Sequence, residues 1–568
     1  MLRPTSNPGS EACGTCGIRA PISAEGAWQP PIVAVSLLGM GMRRWTAAIA
    51  ANLLVAGLAV PASAQSTPLC FGQAATIVST EGGVIRGTEG PDVIVGSPKR
   101  DRIIAGAGED RVCGRGSFDS ISGGLGSDQL SGEHLAGNEG NDLLIGDHGA
   151  GTLLGGSGDD VIRGRGVVYN SCDCDLRFFD KLIGGRGNDI LVGGHSEGRN
   201  SAGEVFRGGP GNDRIDGGAS SDGPFATDRR DVASFASSEA AVFVDLARGV
   251  ATGEGRDTIS RIEKLIGSRF SDVISGSANN DALFGRKGND TLDGGEGSDS
   301  LKGSDGNDAL FGSAGNDSLE GGDGDDTLEG NDGDDLLDGS LGNDGMDGGG
   351  GTDFVSFASV YSGGVTVDLG AQTVQGAGHD QIIDVEGVVG SRQSDTLIGS
   401  PAADEIVGGP DVKGGCGYSN GDDVIRGLEG DDVLQGFRGE ESISGGDGND
   451  LIIDEGCDGQ CGGLLDGGSG VDTIKWNFIE CGYPVRVDLG AGSATDNYSG
   501  DYWQVSLASL ENVIGSMFDD ALVGSDEANE LSGRKGDDVL DGGDGGDTLD
   551  GGEGTDSCLN GETVVNCE

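Results

Sequence analysis

The chain has 568 residues, more than one compact core holds, and carries a net charge of −59 with 114 glycines and 5% aromatic residues. That acidity excludes nucleic acid as a partner, because phosphate binding needs a basic surface, and 14 prolines with no Gly-X-Y repeat exclude collagen. Acidity with few aromatics favours disorder when taken alone, whereas many carboxylates on a regular backbone suit hard cations, which prefer oxygen ligands.

Residues 40–64 read as a signal peptide. Arg43 and Arg44 give the basic region, Thr46 to Val60 the apolar stretch, and Ala62-Ser63-Ala64 a small-residue cleavage site before Gln65. The apolar run is too short for a membrane anchor and runs straight into the cleavage pattern. Its surroundings fit the general secretory route better than twin-arginine export. A leader has no place behind 39 other residues, so residues 1–39 read as a mis-assigned extension, with the true start at Met40 or Met42. Of twelve cysteines, Cys13 and Cys16 lie upstream of the cleavage site. The even number left in an exported chain favours disulfides. Cys70 with Cys113, at the start of the mature chain, and Cys558 with Cys567, at its end, are the expected pairs. Cys457 and Cys461 are a candidate local pair, and Cys172 and Cys174 sit in a loop. Zinc is disfavoured, because the C-x-C and C-x-x-x-C pairs are far apart and no histidine is spaced to match.

Residues 65–230 form a divergent first repeat array. Asp92, Asp101, Asp110, Asp119 and Asp128 are spaced by nine and followed two residues on by Ile94, Ile103, Val112, Ile121 and Leu130. Asp142, Asp160, Asp189 and Asp213 continue the pattern less regularly. Residues 231–271 are a glycine-poor intervening segment holding "VFVDLARG" and "IEKLIGS". The second array, 272–352, is the most regular. Asp272, Asp281, Asp290, Asp299, Asp308, Asp317, Asp326, Asp335, Asp344 and Asp353 keep the period of nine, and each precedes an apolar residue by two. Residues 353–394 repeat the intervening pattern as "VTVDLGAQ" and "VEGVVGS". The third array, 395–471, carries Asp395, Asp404, Asp423, Asp432, Glu441 and Asp450. Residues 472–519 intervene again with "VRVDLGAG" and "LENVIGS". The fourth array, 520–568, carries Asp520, Asn529, Asp538, Asp547 and Asp556 and ends in the cysteine-closed cap. V-x-V-D-L alternates as a short half-buried strand does.

The nonapeptide G-G-x-G-x-D-x-U-x, with U a large apolar residue, has a physical reading. Six residues make a turn in which glycine permits positive φ, and three make a strand with U pointing inward. Two nonapeptides complete a coil of 18 residues, and coils stack as an all-β parallel β-roll. Asp272, Asp290, Asp308, Asp326 and Asp344 then line one edge, and Asp281, Asp299, Asp317, Asp335 and Asp353 the other. Leu292, Leu310 and Leu328 stack as one core ladder facing Leu301, Leu319 and Leu337. One buried apolar residue in nine is a thin core, and stacked carboxylates oppose folding. A divalent cation between coils reverses that sign. Calcium, with six to eight oxygens in flexible geometry, suits the site better than magnesium.

These nonapeptides resemble the RTX, or haemolysin-type, calcium-binding repeat over most of residues 84–557. The resemblance implies a parallel β-roll with calcium between turns, and side-chain ligands at the sixth-place aspartates named above. It implies about ten to thirty ions per chain. Gly151 in "GDHGAG" gives no carboxylate, Asn529 is neutral, and Glu441 is one methylene too long. The cysteine-flanked start, the V-x-V-D-L segments and the "GGEGTDSCLNGETVVNCE" end look like exported calcium-binding proteins of actinobacterial type. The N-terminal leader argues against the C-terminal export signal of the family's toxins.

No catalytic constellation accompanies the repeats. The four histidines form no H-E-x-x-H. G-x-S-x-G occurs around Ser196 and Ser419 at the frequency this composition gives by chance, and neither match follows a strand-to-helix elbow. D-x-D fragments lack the flanking helices an EF-hand needs. The expectation is an exported, non-enzymatic calcium-binding protein that folds on its metal, a structural or adhesive extracellular element with a cell-surface or matrix ligand. It has no transmembrane anchor after leader cleavage. A calcium buffer without a macromolecular partner, or a cryptic secreted hydrolase, are the alternatives.

Overall fold

A computed structural model describes residues 67–116, 118–146, 151–164, 180–194, 203–218, 231–361, 363–410, 421–437, 439–454, 463–476, 484–496 and 504–567. The leader, Cys172, Cys174, Cys457, Cys461, Ser196 and Ser419 lie outside these residues.

The alternation in each nonapeptide becomes a strand whose middle side chain is buried. In Ser300–Asp305, Leu301 is 1% exposed while Ser300 and Lys302 face outward. Successive strands alternate between two long sheets, and within each sheet a strand pairs in parallel with the strand one coil away. Leu292 is in register with Leu310 and Leu310 with Leu328 in the first sheet. Leu301 pairs with Leu319 and Leu319 with Leu337 in the second. The chain is a parallel β-roll, as the periodicity predicts, and no helix occurs among the described residues. The core is a double file of isoleucine, leucine and valine between the sheets.

The 18-residue coil is not uniform. Asp128 lies 14 residues before its ladder partner Asp142, and Asp160 lies 29 before Asp189. Asp395 lies 28 residues before Asp423. The strand register survives all of these, because coil length changes at the turns. In the short case Leu130 and Leu135 are both buried only five residues apart, and Gly132 with Glu133 supplies what is elsewhere a six-residue turn.

The intervening segments add antiparallel strands to the first sheet only. Phe243–Asp245 pairs antiparallel with Val250–Thr252, which pairs antiparallel with Arg256–Ser260. The outer two strands of this meander continue the parallel ladder on either side. The same meander recurs at Thr366–Asp368, Thr373–Gln375 and Gln381–Ile383, and at Val485–Asp488, Ser493–Asp496 and Gln504–Ala508. Among the described residues the first sheet has 29 strands and the second 23, and the three meanders account for that excess of six. The aspartate of V-x-V-D-L closes the first turn: Asp245, Asp368 and Asp488 each accept through Oδ1 the N–H three residues on, at 2.8, 2.7 and 2.8 Å. Phe235, Phe357 and Trp476 are buried at matching places beside the meanders, where the core widens.

Disulfides join Cys70 to Cys113 and Cys558 to Cys567, the two expected pairs. The first ties the N-terminal hairpin to the third strand of the first sheet, Arg111–Cys113. The second closes the last coil, where Cys558 stacks on Leu540.

Candidate metal centre

The sixth-place side chains turn inward at the sheet edges and form two ladders. In the regular array the Oδ1 of each aspartate accepts the backbone N–H of the aspartate one coil earlier. Asp272 N–H reaches Asp290, Asp290 reaches Asp308 and Asp308 reaches Asp326, each at 2.7 Å. On the opposite edge Asp281 N–H reaches Asp299 and Asp299 reaches Asp317, also at 2.7 Å. Every sixth-place aspartate named from the sequence is buried. The remaining acids of the turns, such as Asp323 and Asp332, are exposed.

The second carboxylate oxygen is the telling one. In Asp110, Asp128, Asp142, Asp160, Asp189 and Asp213 of the first array, Oδ2 is buried and accepts no hydrogen bond. The same holds in Asp290, Asp308, Asp317, Asp326, Asp335, Asp344 and Asp353 of the second array, in Asp423, Asp432 and Asp450 of the third, and in Asp538, Asp547 and Asp556 of the fourth. A buried anionic oxygen without a partner costs several kcal/mol, roughly, unless a cation meets it. The backbone around it offers more oxygen. A Cβ on Gly303 would fall 2.2 Å from Asp308 Oδ2 and 2.7 Å from the Gly321 carbonyl oxygen, so both oxygens surround one point that only glycine leaves open. The same pair recurs at Gly330, 2.3 Å from Asp335 Oδ2 and 2.5 Å from the Gly348 oxygen, and at Gly427, 2.1 Å from Asp432 Oδ2 and 2.5 Å from the Gly445 oxygen.

Burial drives the electrostatics. It pushes Asp290 and Asp344 up to about 7 and Asp326 and Asp335 up to about 6, with neighbouring ladder carboxylates adding to the rise. Asp128, Asp160 and Asp213 rise to about 7 for the same reasons, and Asp423 to about 8. Without a counter-ion these groups hold protons that ordinary aspartates have lost. Among the described residues no three His, Cys, Asp or Glu side chains converge as a ligand set. A cation here is therefore one that accepts backbone carbonyls beside a carboxylate, which suits calcium and not zinc.

Other predicted positions differ in detail. Asp92, Asp101, Asp272, Asp281, Asp395, Asp404 and Asp520 occupy the ladders, but each receives hydrogen bonds from the serine or threonine four residues earlier. Asp119 receives the Gly116 N–H at 3.1 Å. Gly151 has no side chain to offer, and its N–H donates to Asp180 at 2.8 Å. The extra methylene of Glu441 does not keep it off the ladder. Its Oε2 accepts the Asp423 N–H at 2.8 Å while Oε1 is buried without a partner, and burial beside Asp423 pushes it up to about 9.

Sequence spacing missed several ladder members. Asp213 N–H is accepted by Asp257, Asp344 N–H by Asp380 and Asp450 N–H by Asp472. Glu263, Glu386 and Glu511 accept the N–H groups of Asp231, Asp353 and Asp472. The signal was present: each precedes a buried apolar residue by two, as Glu263 precedes Leu265 and Asp257 precedes Ile259. A meander hid the period before all of these but Asp472, which stands 22 residues after Asp450 instead of 18.

A parallel β-roll whose turns hold buried, unpartnered carboxylate oxygens against glycine carbonyls is a cation-binding repeat solenoid. The family model of the RTX calcium-binding nonapeptide repeat matches residues 86–121, 114–134, 131–162, 177–195, 200–222, 260–292, 284–319, 293–328, 320–355, 388–411, 418–452 and 523–558. These segments span more than half of the chain, which belongs to the RTX calcium-binding repeat family. The unmatched stretches 223–259, 356–387 and 453–522 contain the three antiparallel meanders. No curated protein matches the chain.

Proposed function

We propose that the chain is an exported, extracellular structural element, without enzymatic activity, whose arrays order when they bind several calcium ions. The carrying observation is the column of buried Oδ2 atoms without partners, repeated from coil to coil. The sixth-place carboxylates with an open oxygen, from Asp110 through Asp556, would hold the ions together with the first-place glycine carbonyls of the adjoining coil. The metal supplies the positive charge that makes a stack of carboxylates favourable, so binding energy becomes folding energy. In a low-calcium cytoplasm the arrays stay unfolded and exportable, and outside they order into a stack of two long sheets with exposed acids such as Asp323 and Asp332 in the turns. Such a repeated surface suits attachment to a cell-surface or matrix ligand. No helix of the described residues is long and apolar enough to cross a membrane. Circular dichroism of residues 65–568 during calcium titration tests the reading. Strand signal should appear with calcium and vanish with chelator, and a signal indifferent to chelator would refute metal-driven folding. Calcium-dependent attachment of the labelled chain to cells or matrix tests the adhesive part.

A further inference from the structure

Eight turns depart from the rest, and they fall in four consecutive pairs. They read GTEGPD and GSPKRD over residues 87–101, GSRFSD and GSANND over 267–281, GSRQSD and GSPAAD over 390–404, and GSMFDD and GSDEAN over 515–529. Each pair is the first coil of an array. No residue in any of the eight has positive φ, whereas the glycine-rich turns carry it at the second and fourth places, as at Ser304 (φ 91°) and Gly306 (φ 147°). Seven of the eight lack the fourth-place glycine, and in the other Gly90 is followed by Pro91. A side chain enters positive φ at the second place, as Ser304 does, but not the φ of 147° that Gly306 takes at the fourth, so without that glycine the backbone takes a different turn.

In this second turn the serine or threonine at the second place donates its N–H to the sixth-place side chain in all eight. Ser268 donates its N–H at 2.5 Å to Asp272 Oδ2 and its hydroxyl at 2.7 Å to Oδ1, which also accepts the ladder N–H of Val242 at 2.8 Å. Ser391 treats Asp395 in the same way at 2.6 and 2.9 Å, with Val365 N–H at 2.7 Å. Neither oxygen is left open. Asn529 is the sharpest case. Its Oδ1 accepts the Ser525 N–H at 2.6 Å and its Nδ2 donates to the Glu511 carbonyl at 2.8 Å, so an uncharged side chain fills the same place. Its one side-chain oxygen is already taken by Ser525, and a hydrogen-bonded turn accepts the uncharged side chain readily.

We infer that these eight turns close on themselves and take no cation, so that the first coil of every array folds without calcium and fixes the register of the metal-dependent coils behind it. The surroundings agree. Three of these coils adjoin the meanders, where Phe235, Phe357 and Trp476 thicken the core, and the other adjoins the Cys70–Cys113 disulfide. The inference rests on the calcium reading for the open turns and departs from the ligand set that spacing alone implies.

The test compares residues 65–568 as wild type, Asp395→Asn and Asp326→Asn. Calcium is counted by titration calorimetry, and hydrogen exchange is followed by mass spectrometry in chelator. Asp395→Asn should keep the wild-type number of ions and an affinity within twofold, while Asp326→Asn should lose at least one ion. In chelator, wild-type peptides across 267–281, 390–404 and 515–529 should exchange at least tenfold more slowly than those across 303–350. Equal ion loss in both variants, or uniform exchange in chelator, would overturn the inference. Should Asp395→Asn fail to fold, the wild-type exchange pattern still decides. Absence of calcium binding in all three proteins would sink the calcium reading instead, and the exchange contrast would then judge the closed turns separately.

Discussion

The turns Gly267–Asp272 and Gly303–Asp308 have the same length, both begin Gly-Ser, and both end in an aspartate of the same ladder. They leave that aspartate in opposite states. Ser268 donates to both oxygens of Asp272, whereas Asp308 keeps a buried Oδ2 without a partner. The fourth residue, Phe270 in one and Gly306 in the other, separates them. The path of the backbone through the turn, and not the carboxylate, separates a turn finished by its own chain from one with an open oxygen.

Substitution at the fourth place should show the largest contrast. A Cβ on Gly306 would sit 1.6 Å from the Gly288 carbonyl oxygen, which cannot yield without opening the parallel ladder. Gly306→Ala should cost more than about 3 kcal/mol and disorder the adjoining coils. Phe270→Ala, at the matching place in the closed turn, should cost about 1 kcal/mol. Thermal unfolding in calcium compares them, and equal losses would break the distinction between the turns.

Next in size is the core file. Leu310 is fully buried between Leu292 and Leu328. Leu310→Ala should destabilise the calcium-loaded chain by about 3 kcal/mol and weaken calcium binding, since folding and binding are linked. Urea unfolding at fixed calcium measures the first effect and calorimetry the second.

Acidity acts on the open turns in a definite sense. Asp290 and Asp344 are pushed up to about 7, and Asp326 to about 6, chiefly by burial. The metal-free fold therefore holds protons that the unfolded chain, with aspartates near about 4, has already released. Stability of the metal-free arrays should be greatest in acid and fall as pH rises from about 4 through about 7. Calcium binding should run the other way, weakening in acid as protons compete for the same oxygens. Melting curves in chelator at pH 4.5 and 7.5 check the first, and a higher melting temperature at pH 7.5 would contradict it.

The smallest effect belongs to a single hydroxyl. Ser391→Ala removes one hydrogen bond to Asp395 but leaves the N–H at 2.6 Å. It should cost about 1 kcal/mol and leave the number of bound ions unchanged.

Much of this was legible in the sequence because the period of nine ties a buried apolar residue to a fixed offset from an aspartate. The stacking of Leu292, Leu310 and Leu328 follows from that period alone. The antiparallel meanders were not legible. V-x-V-D-L declares a strand, but its neighbours across the sheet are set by turns such as Asp245–Gly249, which the period does not encode. Glu263, Glu386 and Glu511 escaped because a meander breaks the count before each of them, although the apolar residue two places on marks them. The two kinds of turn escaped because both end in aspartate on the same spacing. The distinguishing letter, a fourth place without glycine in seven of the eight closed turns, acts through φ and N–H direction, which only the folded backbone displays.

The most direct test is anomalous diffraction from crystals of residues 65–568 grown in calcium, which places each ion against its oxygens. Anomalous peaks should lie beside Asp308 and the Gly321 carbonyl, and beside Asp335 and the Gly348 carbonyl, with the same arrangement repeated along the arrays. Arrays that are fully ordered with no peak at these oxygens, or peaks confined to exposed carboxylates such as Asp323 and Asp332, would contradict the account.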